Sequence, residues 1–405
     1  MPIDNLLPLI MQVSSIGICN KITFVFTEKE DQSLLVEGED MFDPNPSIDI
    51  LLQENSCLNE AIQSCGIRVV TVPYISHRHS KLMVFWLRLV TLKKMSFFLF
   101  GKVVSIGDRF GGLISALIRF NKIVYGGSFI KNRLVPFDLE TAVQNSSTLE
   151  KFFGRSRGSF KVENCDAVVS TFTREEARQF QTVTGDQDIP VYKIGYARGG
   201  AVWHDMIVRN GRKNLEADIR EKYVFYPLAT LDRVESDGHV IDLEPSMVKV
   251  FKIFDKFAEN LQIVFRYHPT TDRDKFASIL QKSGLRNYAI SYAHPHELIQ
   301  NAQCTFSISG SSLFCDAFYL GSPVIHYIAN DDLYFEKDEN GNAVASHMQP
   351  VVDHFIVKDP GKLENVLRDL IATPPCSMKR SEEMLSKRFP FARDEELVQI
   401  FEKFI

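Results

Sequence analysis

Between Tyr223 and Ile328, short apolar and β-branched runs alternate with amphipathic helical patterns, and this alternation limits the possible folds more than any other feature of the sequence. The strand-like runs are YVFY (223–226), QIVFRYHP (262–269), NYAISY (287–292), CTFSIS (304–309) and PVIHYI (323–328). In the first gap, Met247, Val250, Phe251, Phe254, Phe257, Ala258 and Leu261 repeat at helical spacing. DRDKFASILQKSG (272–284) reads as a helix ending at Gly284, PHELIQNA (295–302) as a helix begun by Pro295, and SSLFCDAFYL (311–320) as a helix closed by Gly321. Strands separated by single helices predict a parallel sheet with crossover connections.

The first half obeys the same logic. KITFVFT (21–27), GIRVVTVPY (66–74), KVVSIGD (102–108), KIVYGG (122–127) and DAVVSTF (166–172) read as strands. LISALIRF (113–120) and TREEARQF (173–180) read as helices, the second opened by a Thr173/Glu176 capping box. A chain of 405 residues exceeds what a single core ordinarily holds. The expected division is therefore a domain over 1–197, a second doubly wound domain over 198–378, and a C-terminal helix over 379–405 packing back on the first. The join is placed near the glycine pair of VYKIGYARGGAVWHD (191–205). DEELVQIFEKFI runs to Ile405 without a cap, leaving room for further modules beyond it.

Composition narrows the partners. Lys and Arg number 46 against 51 Asp and Glu, a formal charge of −5, so no nucleic acid is expected as partner. Seven cysteines without a CxxC pair suggest neither a disulfide framework nor a zinc ribbon, and fit a reducing cytoplasm. The N-terminus carries Asp4 and no basic residue before Lys21, unlike a secretory signal, and no apolar run reaches the roughly 18 residues of a membrane span. Lys81 to Lys102 mixes Phe, Trp and Leu with five basic residues. The plainer reading is a helix packed on a sheet, and the other is a peripheral contact with an anionic membrane surface.

Two α/β domains place ligands at the carboxyl ends of their strands, so chemistry is sought in the loops after them. SISGSS (307–312) runs from a strand into a helix, and the amides and hydroxyls around Ser309, Gly310, Ser311 and Ser312 are suited to an anion, with a plain N-cap as the alternative. FRYHP (265–269) ends a strand with Arg266, His268 and Pro269. His268 is a candidate acid toward a leaving phosphate, and the second HP, at His294, reads as a helix start. Asp232, Arg233, Glu235 and Asp237 form an acidic loop after YVFYP. Asp186–Asp188 and Asp272–Asp274 are Asp-x-Asp triplets without further metal-site context, and no metal is expected at either. SIGDRFGG (105–112) lacks GxGxxG spacing and reads as an acceptor loop.

A strand closing on HP, then a serine-rich strand-to-helix loop, then GSPVI (321–325), resembles the bacterial glycosyltransferases that use CMP-activated ulosonic acids. YVFYPLATLDRV (223–234) looks most like the retaining β-Kdo transferase modules of capsule and O-antigen polysaccharide assembly. The resemblance covers roughly Tyr223 to Tyr327 and implies an α/β, GT-B-type fold of two Rossmann-like domains facing across a cleft. It implies CMP-β-Kdo as donor, no cofactor or metal, and a glycan acceptor on a lipid carrier at the cytoplasmic side of the membrane. The family's phosphate-binding serines fall on Ser311 and Ser312, its HP histidine on His268 and its nucleophilic acid on Asp232. Arg198, Arg233 and Arg266 are candidates for the donor carboxylate or phosphate, since bidentate arginine suits both. Three alternatives stay open: an inverting CMP-sialic acid or CMP-Kdo transferase with Asp232 as general base, a two-Rossmann sugar-nucleotide epimerase, and a non-catalytic nucleotide- or glycan-binding module.

Overall fold

The computed structural model describes residues 2–17, 23–28, 56–73, 103–105, 122–125, 167–170, 191–228, 231–234, 240–268, 271–308, 311, 313–329, 336–337, 343–344, 351–376, 378–389 and 391–402. The helical stretches 113–120 and 173–180 and the basic segment 81–102 lie outside them.

In chain order the first elements are α1 (Pro2–Ser15), β1 (Thr23–Glu28), α2 (Ser56–Ser64), β2 (Arg68–Pro73), β3 (Val103–Ser105), β4 (Lys122–Tyr125), β5 (Ala167–Ser170), β6 (Val191–Lys193) and α3 (Ala201–Asn210). The middle elements are β7 (Tyr223–Pro227), β8 (Asp232–Val234), β9 (Val240–Asp242), α4 (Glu244–Asp255), β10 (Gln262–Arg266), α5 (Arg273–Ser283), β11 (Tyr288–Ile290), α6 (Pro295–Asn301), β12 (Cys304–Ser307) and α7 (Leu313–Tyr319). The last elements are β13 (Val324–Ile328), β14 (Glu336–Lys337), β15 (Ala343–Val344), β16 (His354–Val357), α8 (Pro360–Ile371), α9 (Glu382–Arg388) and α10 (Asp394–Glu402).

The chain divides into two compact units, one of Met1–Gln53, Leu58–His204 and Ser386–Ile405, the other of Glu54–Cys57 and Asp205–Leu385. In the first, β1 and β2 pair in parallel, and β3 to β6 form a parallel sheet in sequential order. The C-terminal segment belongs to this unit through specific bonds. Gln12 Nε2 donates to Asp394 Oδ1 at 2.7 Å, the Ala392 amide donates to the Ile194 carbonyl at 2.7 Å, and the Tyr196 and Phe389 rings stand 5.0 Å apart.

The second unit carries a six-stranded sheet in the order β11-β10-β7-β12-β13-β16, every pair parallel. The β8–β9 and β14–β15 ribbons stand outside it, so its strands taken in chain order lie 3-2-1-4-5-6, the doubly wound arrangement. This unit is α/β, as the alternation of runs predicts. Direction reverses between β7 and β12.

Both faces of the sheet are covered, which is why its strands read as continuous apolar runs rather than alternating ones. On one face Val224, Tyr226, Ile263, Phe265, Cys304, Phe306, Ile325 and Tyr327 join Met247, Phe251 and Phe254 of α4, Phe276 of α5 and Leu363 and Leu367 of α8 in one buried cluster. Tyr226 anchors it, its ring 5.4 to 5.9 Å from those of Phe306, Phe265 and Phe251. The alternate residues face the other way. There the Tyr223 hydroxyl donates to the Leu298 carbonyl of α6 at 2.6 Å, and Thr305, Ser307 and His326 are buried polar residues on the same side.

Helix ends set the turns. Gly284 (φ 70°) and Gly321 (φ 77°) close α5 and α7 in the left-handed region. A Cβ at Gly284 would meet nothing within 4 Å, whereas one at Gly321 would lie 2.6 Å from the Met378 carbonyl oxygen. Gly284→Ala should cost about 1 kcal/mol and Gly321→Ala about 3 kcal/mol in urea unfolding, the difference being the backbone clash. Equal costs would show that the 376–378 segment gives way without penalty.

Candidate functional site at the switch point of the second sheet

Where neighbouring strands send their crossovers in opposite directions, a crevice opens at their carboxyl ends. In the second unit those strands are β7 and β12. Their ends are tied together: burial pushes the Tyr226 phenol up from its ordinary value, while the Ile308 backbone N–H, hydrogen-bonded to it, acts in the opposite direction.

The chain leaves β7 with the Leu228 amide donating to the Arg266 carbonyl at 3.0 Å, then turns at the buried Leu231. Beyond Leu231 the chain forms a paired ribbon where the sequence predicts an open acidic loop. Asp232 opens β8, which pairs antiparallel with β9 in the register Asp232↔Asp242, Arg233↔Ile241, Val234↔Val240. The ribbon is closed at its base by the Leu243 amide donating to the Leu231 carbonyl at 3.1 Å, with both leucines buried. Two buried leucines flanking short β-capable triplets favour a hairpin over a solvated turn. Asp232 and Arg233 are thus held in register by backbone pairing. Opposite Asp232, Asp242 Oδ1 accepts from Lys275 Nζ at 3.0 Å and from the Glu244 amide at 3.1 Å. Partial burial works against its charge, yet these bonds hold the carboxyl below its ordinary value.

At the end of β10, His268 is exposed, and its backbone is fixed by a local ring of bonds. The His268 amide donates to Thr271 Oγ1 at 3.0 Å and the Thr271 amide returns to the His268 carbonyl at 2.9 Å. Arg266 Nε donates to the Ala293 carbonyl at 2.9 Å, so part of that guanidinium has a structural duty. Asp272 is the N-cap of α5, its Oδ1 accepting from the Lys275 amide at 2.9 Å. Among the described residues no group of three His, Cys, Asp or Glu is placed to hold a metal ion.

At the end of β12, Ser311 caps α7: its Oγ accepts from the Leu313 amide at 3.3 Å and its carbonyl from the Phe314 amide at 3.0 Å. Ser309, Gly310, Ser312 and Pro269 lie outside the described residues. Arg198 belongs to the first unit, in the turn Ala197–Gly199, with its guanidinium 5.6 Å from the Tyr196 ring centroid.

One constellation escapes the sequence reading. His294 caps α6, its Nδ1 accepting from the His296 amide at 3.2 Å, as the helix-start reading requires. His296 itself is buried, and its Nε2 lies 3.1 Å from Oδ1 of the fully buried Asp316 on α7. Next to it Glu297 Oε1 accepts from Asn210 Nδ2 at 3.3 Å and Asn214 Nδ2 at 2.5 Å. The pair locks the start of α6 to α7, and α7 leads directly from the serine loop. The signal for it in the sequence is a single acid inside the apolar run LFCDAF (313–318).

No protein-family model matches the chain, and no curated protein does. Among solved structures the chain is similar to UDP-N-acetylglucosamine 2-epimerase from Rickettsia bellii, at 10% identity over 99% of this chain and 93% of that one, with a TM-score of 0.47. It is similar to HepE from Anabaena in complex with UDP and glucose, at 9% identity over 94% and 98%, TM-score 0.43. It is also similar to a TarM mutant from S. aureus in complex with fondaparinux, α-GlcNAc-glycerol and UDP, at 12% identity over 72% of this chain and 54% of that one, TM-score 0.32, so the chain spans about half its length. These are loose likenesses, and the strand order of the chain itself carries the fold.

His296→Ala removes the imidazole that lies 3.1 Å from the buried Asp316 carboxylate and should cost about 3 kcal/mol in denaturant unfolding. Asp316→Asn should cost less, since the amide keeps the shape of the side chain and buries no charge. The reverse order would show that the imidazole, not the carboxylate, is the group needing compensation.

Proposed function

We propose that the chain is a GT-B-type glycosyltransferase that moves β-Kdo from CMP-β-Kdo to a glycan acceptor with retention of configuration. One observation carries this reading. The doubly wound order of the second sheet brings the ends of β7 and β12 to its switch point, and those ends lead respectively to Asp232 and to the serine loop. Asp232 and the serine loop, two of the features whose pattern resembles the CMP-Kdo transferases, follow these two strands in the chain.

In the proposed reaction the phosphate of CMP is held by the backbone amides and hydroxyls around Ser309, Gly310, Ser311 and Ser312. The Asp232 carboxylate attacks the anomeric carbon as the bond to the CMP phosphate oxygen breaks, and the electron pair leaves on the phosphate. The acceptor hydroxyl then displaces the Asp232 carboxylate from the anomeric carbon and gives its proton to water, and the second inversion restores the original configuration. His268, exposed beside β10, supplies a proton or hydrogen bond to the departing phosphate. Arg233 and Arg266 meet the donor carboxylate, which a bidentate guanidinium suits. A leaving group with a single phosphate is stabilised by hydrogen-bond donors without a divalent ion, so activity is expected to persist in chelator. The acceptor is a polysaccharide on a lipid carrier, reached from the cytoplasmic side. No helix among the described residues is long and apolar enough to cross a membrane.

The test is incubation with CMP-β-Kdo and a synthetic glycan acceptor in EDTA, with the product followed by NMR. CMP release with a β-linked product, reduced at least ~100-fold in Asp232→Asn, is expected. An α-linked product would favour the inverting reading with Asp232 as base. Full activity in Asp232→Asn would remove that residue from the chemistry, and no CMP release with any ulosonic donor would leave a binding module.

A further inference from the structure

The β10–β11 edge carries tyrosines that the proposed reaction does not use. Ile263 stands opposite Tyr288 and Phe265 opposite Ile290, and the Ser291 amide donates to the Phe265 carbonyl at 2.8 Å, so the ladder continues one residue past β11. Carried on, this register sets Tyr292 beside Tyr267, and the two-residue repeat of a strand sets Tyr288 and Tyr292 on one face. The Tyr288 ring lies 6.2 Å from that of Phe265, and the Tyr267 ring 5.8 Å from that of Phe276. From the first turn of α5, the Arg273 guanidinium lies 4.9 Å from the Tyr267 ring centroid, a cation–π stack. Burial raises the Tyr267 phenol above its ordinary value, the nearby Tyr292 and Tyr288 hydroxyls add to the effect, and Arg273 opposes it.

β11 is the edge of the sheet, and Tyr288 and Tyr292 are 40% and 38% exposed. Four large apolar residues are this exposed among those described, and two of them fall on this edge. The backbone beneath is firmly held. Ser291 Oγ and the Tyr292 amide donate to the two carboxylate oxygens of Glu216 at 2.5 and 2.7 Å, and the Ala293 amide donates to Ser291 Oγ at 3.1 Å. Arg266 Nε fastens the Ala293 carbonyl at 2.9 Å. Exposed phenol rings on a held backbone have only two side-chain torsions each to order, which limits the entropic cost of binding a ligand.

We infer that Tyr267, Tyr288, Tyr292 and Arg273 form a saccharide-binding platform that takes pyranose rings of the acceptor glycan. A pyranose presents an apolar C–H face that lies on a phenol ring, and hydroxyls that reach phenol oxygens and a guanidinium. Tyr267 and Tyr292 follow β10 and β11 at the carboxyl end of the parallel sheet, the end from which the chain also leaves β7 and β12. The assignment of the sugar to the acceptor rests on the transferase reading.

The experiment uses the full chain on a printed array of bacterial surface oligosaccharides, with anionic lipid vesicles offered in parallel and CMP affinity measured by calorimetry. The wild type should retain a subset of the saccharides. Tyr288→Ser/Tyr292→Ser should bind those same saccharides at least about tenfold more weakly with unchanged CMP affinity and melting, and Tyr288→Phe should retain them. Saccharide binding undiminished in the double variant, no saccharide retained by the wild type, or loss of vesicle binding in place of saccharide binding would each overturn the platform. Saccharide binding that depends on the tyrosines, without any CMP binding, would uphold the platform and sink the transferase.

Discussion

The second unit depends on how β7 is held. All five residues of this strand are buried, with β10 on one side and β12 on the other, and its two tyrosines fix it to opposite layers. Tyr223 reaches the Leu298 carbonyl of α6, while Tyr226 is packed among Phe251, Phe265 and Phe306 and bonded to the Ile308 amide. Each buried ring is worth about 1.5–3 kcal/mol of transfer free energy, and each hydrogen bond about 1 kcal/mol net. Because strand order reverses beside β7, a strand locked from both faces also fixes the position of the crevice. The stability of the core and the placement of the candidate site are one problem here.

The ribbon leaving β7 inherits that rigidity. It begins at Asp232, is closed at its base by Leu231 and Leu243, and has its far strand bonded to α5 through Asp242 and Lys275. A carboxylate proposed to bond a carbon centre needs a backbone that does not wander, since small misplacements cost rate steeply. Asp242 holds its charge down to lower pH than an ordinary carboxylate does. The stabilisation from the Lys275 bond is therefore present above the unfolded carboxyl's range and is lost as acid carries pH down through the depressed folded value. The His296–Asp316 pair plays the matching part on the other strand, fastening α7 just beyond the serine loop.

The second sheet was legible in the sequence because buried parallel strands and single crossover helices have different periods, and Gly284 and Gly321 mark the helix ends. Strand order was less accessible: periodicity tells which face a residue takes, not which strand lies beside it. The β8–β9 ribbon was hidden by its charges, since three-residue strands carry too little pattern to stand out from DRVESDG. Of Ser309, Ser311 and Ser312 only Ser311 is described; its Oγ accepts from the Leu313 amide, which uses the oxygen and not the O–H donor. His296 was missed because the helix-start reading of HPHE is right about His294 and says nothing of the residue two places on. The tyrosine edge is spelled in NYAISY, but exposure of alternate residues emerges only once β11 is seen at the end of the strand order among the described residues.

Amide hydrogen exchange of the full chain with and without CMP tests directly whether the crevice between β7 and β12 is a nucleotide site. CMP is predicted to slow exchange at Leu228, Ile308 and Ser311 together, with the β14–β15 ribbon unaffected. CMP binding that leaves all three amides unchanged and protects another part of the chain would contradict it.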